Sequence, residues 1–284
     1  MDVMTWSRRR ALLAIAAGAV LPVPARAQQN AGPYVPTPQR IVDDMLWLAA
    51  VGPADFVMDL GSGDGRLVIT AAQRFGARGH GVDIEAKLVR LANENAVKAG
   101  VADRVTFEQR DLFATDLGAA TVLTLYLLPH TVTQLVPRIL AEMRAGARVV
   151  SHDYPLNPWP ADRQLQFELP EKAAISGTAR TVLYLYTVPA KVGGAWRLEL
   201  PAGVAPQPAR LSFEQQAAGT MGSATIGTRR VALEGVRIGG EAVRFSIPGL
   251  GPGGQSLALD GVVRGDAIEG TAPPRWRATR LRGE

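Results

Sequence analysis

Val57-Met58-Asp59-Leu60-Gly61-Ser62-Gly63-Asp64-Gly65 is the stretch that decides the fold. An apolar, strand-like run ends in glycines at alternate positions, and the residues from Arg66 onward carry the apolar spacing of a helix. Glycine has no Cβ, so such a turn can take positive φ and let a ligand approach the backbone at the C-terminal end of a strand, where open α/β sheets bind nucleotides. The spacing is G-x-G-x-G. Arg66 stands where the third glycine of the dinucleotide fingerprint G-x-G-x-x-G would fall, which argues against a nicotinamide dinucleotide. Asp59, two positions before the first glycine, would repel a pyrophosphate and suits a cationic, sulfonium-bearing amino acid.

Outward from this turn, the spacing predicts strand 55–60, helix 65–75, strand 78–83, helix 85–99 and strand 104–109, a βαβαβ unit. Strand 120–127, a helix over about 131–143 and strand 147–152 continue it, which gives a parallel sheet covered by helices on both faces. Upstream, Thr37 reads as the N-cap and Pro38 as the first residue of a helix. Its Ile41, Val42, Met45, Leu46, Leu48 and Ala49 share one broad face, and Gly52-Pro53 stops it. Downstream, residues 163–169 and 180–188 read as two strands with no helix between them, an antiparallel hairpin at the sheet edge. After Pro189 helical periodicity is lost, and glycines punctuate short strand-like segments such as 196–200, 210–215 and 243–247. Leu233-Glu234-Gly235 and Leu259-Asp260-Gly261 open two similar stretches that read as hairpins, and Trp196 and Trp276 read as core anchors closing a sandwich or small barrel. The expected fold is α/β: a Rossmann-like doubly wound sheet, mostly parallel with an antiparallel edge hairpin, over residues 37–189, then an all-β domain over 190–284.

The 284 residues are 47% hydrophobic and 20% charged, the balance of a chain that folds around a sizeable core rather than staying disordered. There is no cysteine, so disulfides, thiolate metal ligands and cysteine nucleophiles are excluded. The histidines, His80, His130 and His152, form no H-x-x-x-H or E-x-x-H arrangement, and no metal site is expected. At the N-terminus, Ser7-Arg8-Arg9-Arg10-Ala11-Leu12-Leu13 leads into an Ala- and Leu-rich run, Pro22 and Pro24 break it, and Ala25-Arg26-Ala27 supplies an A-x-A cleavage site. Residues 1–27 thus resemble a twin-arginine export signal and 28–36 a linker, with a periplasmic or secreted protein as the expectation. A membrane anchor left uncleaved, or a cytoplasmic protein with a misassigned start, are the alternatives. Removing Arg8, Arg9, Arg10, Arg26 and Asp2 lowers the formal charge from +5 to +2, which gives no support for a nucleic-acid partner. No transmembrane segment is expected in the mature chain.

Two further carboxylates follow at strand ends. Asp83 closes Gly81-Val82-Asp83, 22 residues after Gly61, where an acidic side chain can accept hydrogen bonds from ribose hydroxyls. Asp111, after Gln109-Arg110, can accept one from an adenine amine. Three acceptors at three successive strand ends describe one adenosine-shaped site. On these residues, 53–152 resemble a class I S-adenosylmethionine-dependent methyltransferase domain, whose first motif is similar to Asp-Leu-Gly-Ser-Gly-Asp-Gly-Arg at 59–66. The resemblance implies S-adenosylmethionine as cofactor. Asp59, Gly61, Gly63 and Asp64 would line its methionine part, Ser62 and Gly65 would belong to the same binding loop, and Asp83 and Asp111 would hold ribose and adenine. More narrowly, Pro33-Tyr34-Val35-Pro36-Thr37-Pro38 followed by that motif resembles the small protein-lysine methyltransferases of mitochondria and their bacterial relatives, which methylate lysines of membrane proteins, including an ATP synthase subunit. That likeness implies that Tyr34 and the segment to Pro38 fold over the cofactor and help shape a lysine channel. It fades after about Tyr154, and the β-rich tail and export signal depart from that family.

The acceptor side is less determined. Leu125-Tyr126-Leu127-Leu128-Pro129-His130 follows the fourth strand, where methyltransferases acting on amines of nucleic-acid bases often carry Asn-Pro-Pro-Tyr, and that motif is absent. Ser151-His152-Asp153-Tyr154 ends the fifth strand. Tyr126, His152 and Asp153 are the catalytic candidates and Tyr34 and His130 the substrate candidates, with Tyr154 also placed to face the acceptor. Methyl transfer is an in-line displacement that needs proximity and a neutral nucleophile. For a lysine, an apolar channel that lowers the amine's pKa suffices; a hydroxyl would need a general base such as His152. Three functions stay open: a methyltransferase acting by direct displacement on an amine such as a protein lysine, an exported non-catalytic binding protein on the same fold, and a small-molecule methyltransferase. The expected partner is a protein or small-molecule methyl acceptor, with no nucleic acid.

Overall fold

Residues 34–205 and 209–282 are described by a computed structural model. The expected export signal and most of the expected linker lie outside the described residues. The first sheet comprises β1 (Phe56–Leu60), β2 (Arg78–Asp83), β3 (Val105–Gln109), β4 (Val122–Leu125), β5 (Arg148–His152), β6 (Arg163–Glu168) and β7 (Arg180–Thr187) in the order β3-β2-β1-β4-β5-β7-β6. The β1–β2, β2–β3, β1–β4 and β4–β5 pairs are parallel; β7 runs antiparallel to both β5 and β6. Rossmann-like topology with an antiparallel edge is what the alternating pattern predicted. Strand order reverses between β1 and β4, and a crevice must open there, at the C-terminal ends of the strands.

Successive side chains of a strand face opposite ways, and the central strands bury both faces. Val57, Val122 and Val150 pack towards α1 (Gln39–Leu48) and α2 (Arg66–Phe75). Met58, Leu60, Leu123, Leu125 and Val149 pack towards α4 (Pro129–Glu142), against Val132, Leu135, Val136 and Ile139. Full burial of each such side chain stabilises the fold by roughly 1.5–3 kcal/mol. α3 (Ala86–Lys98) covers β2 and β3 through Val89, Ala92 and Ala96.

Two local expectations are corrected. Pro38, not Thr37, is the N-cap of α1, with φ −52° and ψ 143°, because the chain is still extended where it passes over the crevice. A helix, α5 (Pro170–Ser176), joins β6 to β7 where none was expected. Its seven residues are too short for periodicity to register, although Pro170 in its first turn and Gly177, at φ 79°, are ordinary start and stop signals.

The rest of the chain forms β8 (Gly194–Glu199), β9 (Ala209–Gln216), β10 (Gly219–Ile226), β11 (Arg229–Ala232), β12 (Glu234–Gly239), β13 (Ala242–Ile247), β14 (Leu257–Arg264), β15 (Ala267–Gly270) and β16 (Arg277–Arg280). These make one antiparallel sheet in the order β11-β10-β9-β8-β16-β15-β14-β13-β12. The last strand returns to pair with the first, and β12 comes to lie against β10, so the sheet curls almost into a barrel. The two stretches expected to be hairpins are β12–β13 and β14–β15. Trp196 and Trp276 are buried core residues, as expected, and Phe245 meets both Phe213 and Trp276 edge to face at 5.7 and 5.6 Å.

This second sheet docks on the edge of the first that holds the N-terminal ends of its parallel strands. Ala190 donates its N–H to the Gly240 carbonyl, Lys191 Nζ donates to the Ala141 carbonyl ahead of β5, and Gly240 lies against Gly146. The crevice is at the opposite edge. No helix among the described residues is long and apolar enough to cross a membrane.

Candidate active site

The crevice holds a cavity of about 210 Å³ whose walls are the C-terminal ends of β1, β2 and β4, the segment 34–37, and Tyr154 beyond β5. Its floor is the glycine loop. The N–H groups of Gly61 and Ser62 both donate to the Val82 carbonyl at 2.9 Å, tying the loop to β2, and Gly61, Gly63 and Gly65 take φ of 78°, 54° and 83°. A Cβ on Gly63 would lie 2.4 Å from the Tyr34 ring, so the close approach of the N-terminal segment requires glycine there as much as the backbone does.

Asp83 secures that loop. One carboxylate oxygen accepts the Gly63 N–H and the other the Glu85 N–H, both at 2.9 Å, while the side chain still lines the cavity with lone pairs to spare. Asp64 and Arg66 form a second tie: Arg66 Nη2 and Nε donate to the carboxylate at 2.6 and 2.9 Å, and Nη1 donates to the Thr37 carbonyl at 2.7 Å. Burial alone would raise the Asp64 carboxyl, but its hydrogen bonds to Arg66 and that residue's charge outweigh burial and hold it below the usual range. Arg66, seen in the sequence only as a missing glycine, thus fastens the segment over the cavity to the loop beneath it. Glu85, which caps α3 and lines the cavity, was missed as well; its signal is an acidic residue just past the second strand end.

Asp59 also lines the cavity. It is buried, accepts the Thr124 hydroxyl at 2.7 Å, and its carboxyl is pushed up to about 7, first by burial and then by the nearby Asp83 and Asp64. Ser62 lines it with a buried hydroxyl that has no partner among the described residues. Gly65 sits at the start of α2, behind the loop. Asp111 does not line the cavity, although Arg110 and Leu112 do. Its carboxylate caps a single helical turn, Leu112–Ala114, by accepting the Phe113 N–H at 2.8 Å.

Tyr34 lines the cavity from the segment over the glycine loop and Tyr126 and Tyr154 line the other wall, whereas His130, His152 and Asp153 do not line it. His130 is exposed on the first turn of α4 beside Thr131. His152 is fully buried behind Tyr126, ring centroids 4.0 Å apart, and neither ring nitrogen has a hydrogen-bond partner among the described residues. Burial pushes it down to about 4, outweighing the opposite effect of Asp153 3.4 Å away, so the ring is neutral near pH 7 and the contact is not an ion pair. Asp153 is engaged by Lys172 Nζ at 2.6 Å. The Tyr126 hydroxyl is pushed up to about 12, chiefly by burial. Among the described residues no group of three His, Asp or Glu side chains is arranged to hold a metal ion.

The elevated Asp59 carboxyl has a measurable consequence. It binds its proton more tightly in the folded chain than in the unfolded one, so its stabilising contribution is complete below about pH 4 and is lost as pH rises through about 7. In thermal scans of ligand-free protein from pH 5 to about 8.5, Asp59→Asn is expected to gain on the wild type across that window and to be the more stable at its upper end. A variant that loses ground with rising pH contradicts this assignment.

Residues 59–163 match the family model described as the ANTKMT methyltransferase domain. Similar curated proteins include a protein-lysine N-methyltransferase of Saccharolobus islandicus, 37% identical over 157 residues, 55% of this chain and 93% of the relative. Another is the adenine nucleotide translocase lysine N-methyltransferase of Mus musculus, 36% identical over 137 residues, 48% of this chain and 58% of the relative. A solved structure described as an RNA methyltransferase from Salinibacter ruber in complex with S-adenosyl-L-homocysteine is 46% identical, with a TM-score of 0.51 over 56% of this chain and 96% of that one. The glycine loop, the strand-end carboxylates and these matches agree: the chain belongs to the S-adenosylmethionine-dependent methyltransferases of the ANTKMT domain family.

Proposed function

We propose that this methyltransferase modifies an amine, specifically a protein lysine, by direct displacement. The observation that carries the reading is the makeup of the acceptor wall: Tyr126 and Tyr154 line it beneath the Tyr34 roof, and the side chains able to act as a base there, His152, Asp153 and His130, do not. A hydroxyl acceptor would need such a base in contact. An amine needs only to lose its proton before attack, and partial desolvation in the channel lowers its pKa.

The cavity fits the cofactor. Buried Asp59, the unpartnered Ser62 hydroxyl and the glycine cradle suit the methionine part, and Asp83 with Glu85 suits the ribose. Asp64 acts through Arg66, and the adenine would rest between Arg110 and Leu112 rather than on the Asp111 carboxylate. Bound there, S-adenosylmethionine supplies a methyl group on a cationic sulfur. The lining carries Asp59, Asp64, Asp83 and Glu85 against Arg66 and Arg110; Asp64 is paired with Arg66, Glu85 with Lys87 and Arg110 with Glu108, which leaves an acidic excess at Asp83 and Asp59. Such a field draws in a cationic side chain and opposes a phosphate backbone. This favours the activity named for the lysine methyltransferase relatives over the RNA activity named for the Salinibacter structure.

Incubation with methyl-labelled S-adenosylmethionine and, separately, total protein and total RNA tests the acceptor. Label recovered as methyl-lysine after acid hydrolysis of the protein is expected; label confined to RNA or to small metabolites contradicts the reading. We also propose that the enzyme works outside the cytoplasm, supported by the Arg8-Arg9-Arg10 cluster, the apolar run and the Ala25-Arg26-Ala27 site. N-terminal sequencing of protein recovered from its host's envelope should begin at Gln28; an intact N-terminus there would indicate an anchor, and recovery only from cytoplasm would contradict export.

A further inference from the structure

We propose that Lys172 is a positioning residue, which fixes the tyrosines of the acceptor wall from behind through the turn after β5. β6 runs parallel to β5, because both are antiparallel to β7, so α5 lies at the same end of the sheet as the cavity. Lys172 on α5 is 1% exposed, and its Nζ donates to Asp153 Oδ2 at 2.6 Å and to the Arg180 carbonyl at 2.5 Å. Asp153 holds a left-handed backbone, φ 64°, which is unfavourable for a residue other than glycine by roughly 1–3 kcal/mol unless its surroundings enforce it. They do. Its second carboxylate oxygen accepts the Val182 N–H at 3.2 Å, and its own N–H donates to the Val182 carbonyl at 2.7 Å.

The turn so fixed places His152 on one side and Tyr154 on the other. His152 points inward against Tyr126, and its ring nitrogens have no hydrogen-bond partner among the described residues, so packing and the Asp153 turn set its place. Tyr154 reaches the cavity, its carbonyl held by the Ser151 hydroxyl at 2.6 Å. On the helix, the Ser176 hydroxyl donates to the Lys172 carbonyl at 3.2 Å. Through Asp153, Lys172 therefore stands behind the His152 ring that packs on Tyr126, yet neither it nor Asp153 nor His152 lines the cavity. A buried ion pair adds little stability over an apolar pair of the same volume, so geometry is the better reason for this one.

The inference rests on the methyltransferase assignment and not on the identity of the acceptor, and its test uses no acceptor. The full chain is labelled with fluorotyrosine, the Tyr126 fluorine resonance is assigned with Tyr126→Phe, and Lys172→Met/Asp153→Asn replaces the ion pair by neutral groups. The expected result is a shifted or split Tyr126 resonance, with the Tyr34 resonance and the calorimetric affinity for S-adenosylmethionine unchanged. An unmoved Tyr126 resonance in the folded double variant overturns the proposal. Should that variant not fold, Lys172→Gln, which is uncharged and one atom too short to hold Asp153 and the Arg180 carbonyl together, is read by the same two outcomes.

Discussion

The site depends on the Asp83 carboxylate. Its two oxygens accept backbone N–H groups from Gly63, in the glycine loop, and from Glu85, where α3 begins. Hydrogen bonds to a charged group are worth about 1.5–3 kcal/mol each, so one side chain fixes the loop against the neighbouring strand and helix with the energy of a small core cluster. With the loop fixed at positive φ, Gly63 can lie under Tyr34, and Arg66 can reach from Asp64 to the Thr37 carbonyl. The N-terminal segment that roofs the cavity is therefore placed by the same carboxylate that lines it.

The cavity has two chemically distinct walls. The wall towards β1 and β2 is acidic and backbone-bonded, suited to a cationic, ribose-bearing cofactor; the wall towards β4 and β5 is aromatic, with His152 buried behind Tyr126 and Asp153 engaged by Lys172. The barrel-like sheet contributes to neither. It adjoins the opposite edge of the first sheet, and Trp196, Phe213, Phe245 and Trp276 pack within it.

The features legible in the sequence were those written locally. The glycine turn, the strand-end carboxylates and the alternation of strands and helices each follow from spacing within about 25 residues, and the fold read from them is the one observed. What sequence left undetermined was direction and distance. At the end of β5 the sequence offers Ser151 to Tyr154 alike, but the left-handed turn at Asp153, which no local pattern announces, decides that His152 stays in the core while Tyr154 faces the cavity. Asp153 looked free because its partner, Lys172, arrives on a helix too short to announce itself by periodicity. Asp111 caps a local turn and does not line the cavity, a use that aspartate finds at many loop positions.

Calorimetric titration of S-adenosylmethionine into the wild-type chain and into Asp83→Ala tests the role of the glycine loop and its carboxylate most directly. Saturable binding to the wild type is expected, with affinity at least about tenfold lower in the variant, or roughly 1.4 kcal/mol, when circular dichroism shows both to be folded. Equal affinity in the two proteins, or none in a folded wild type, would contradict it.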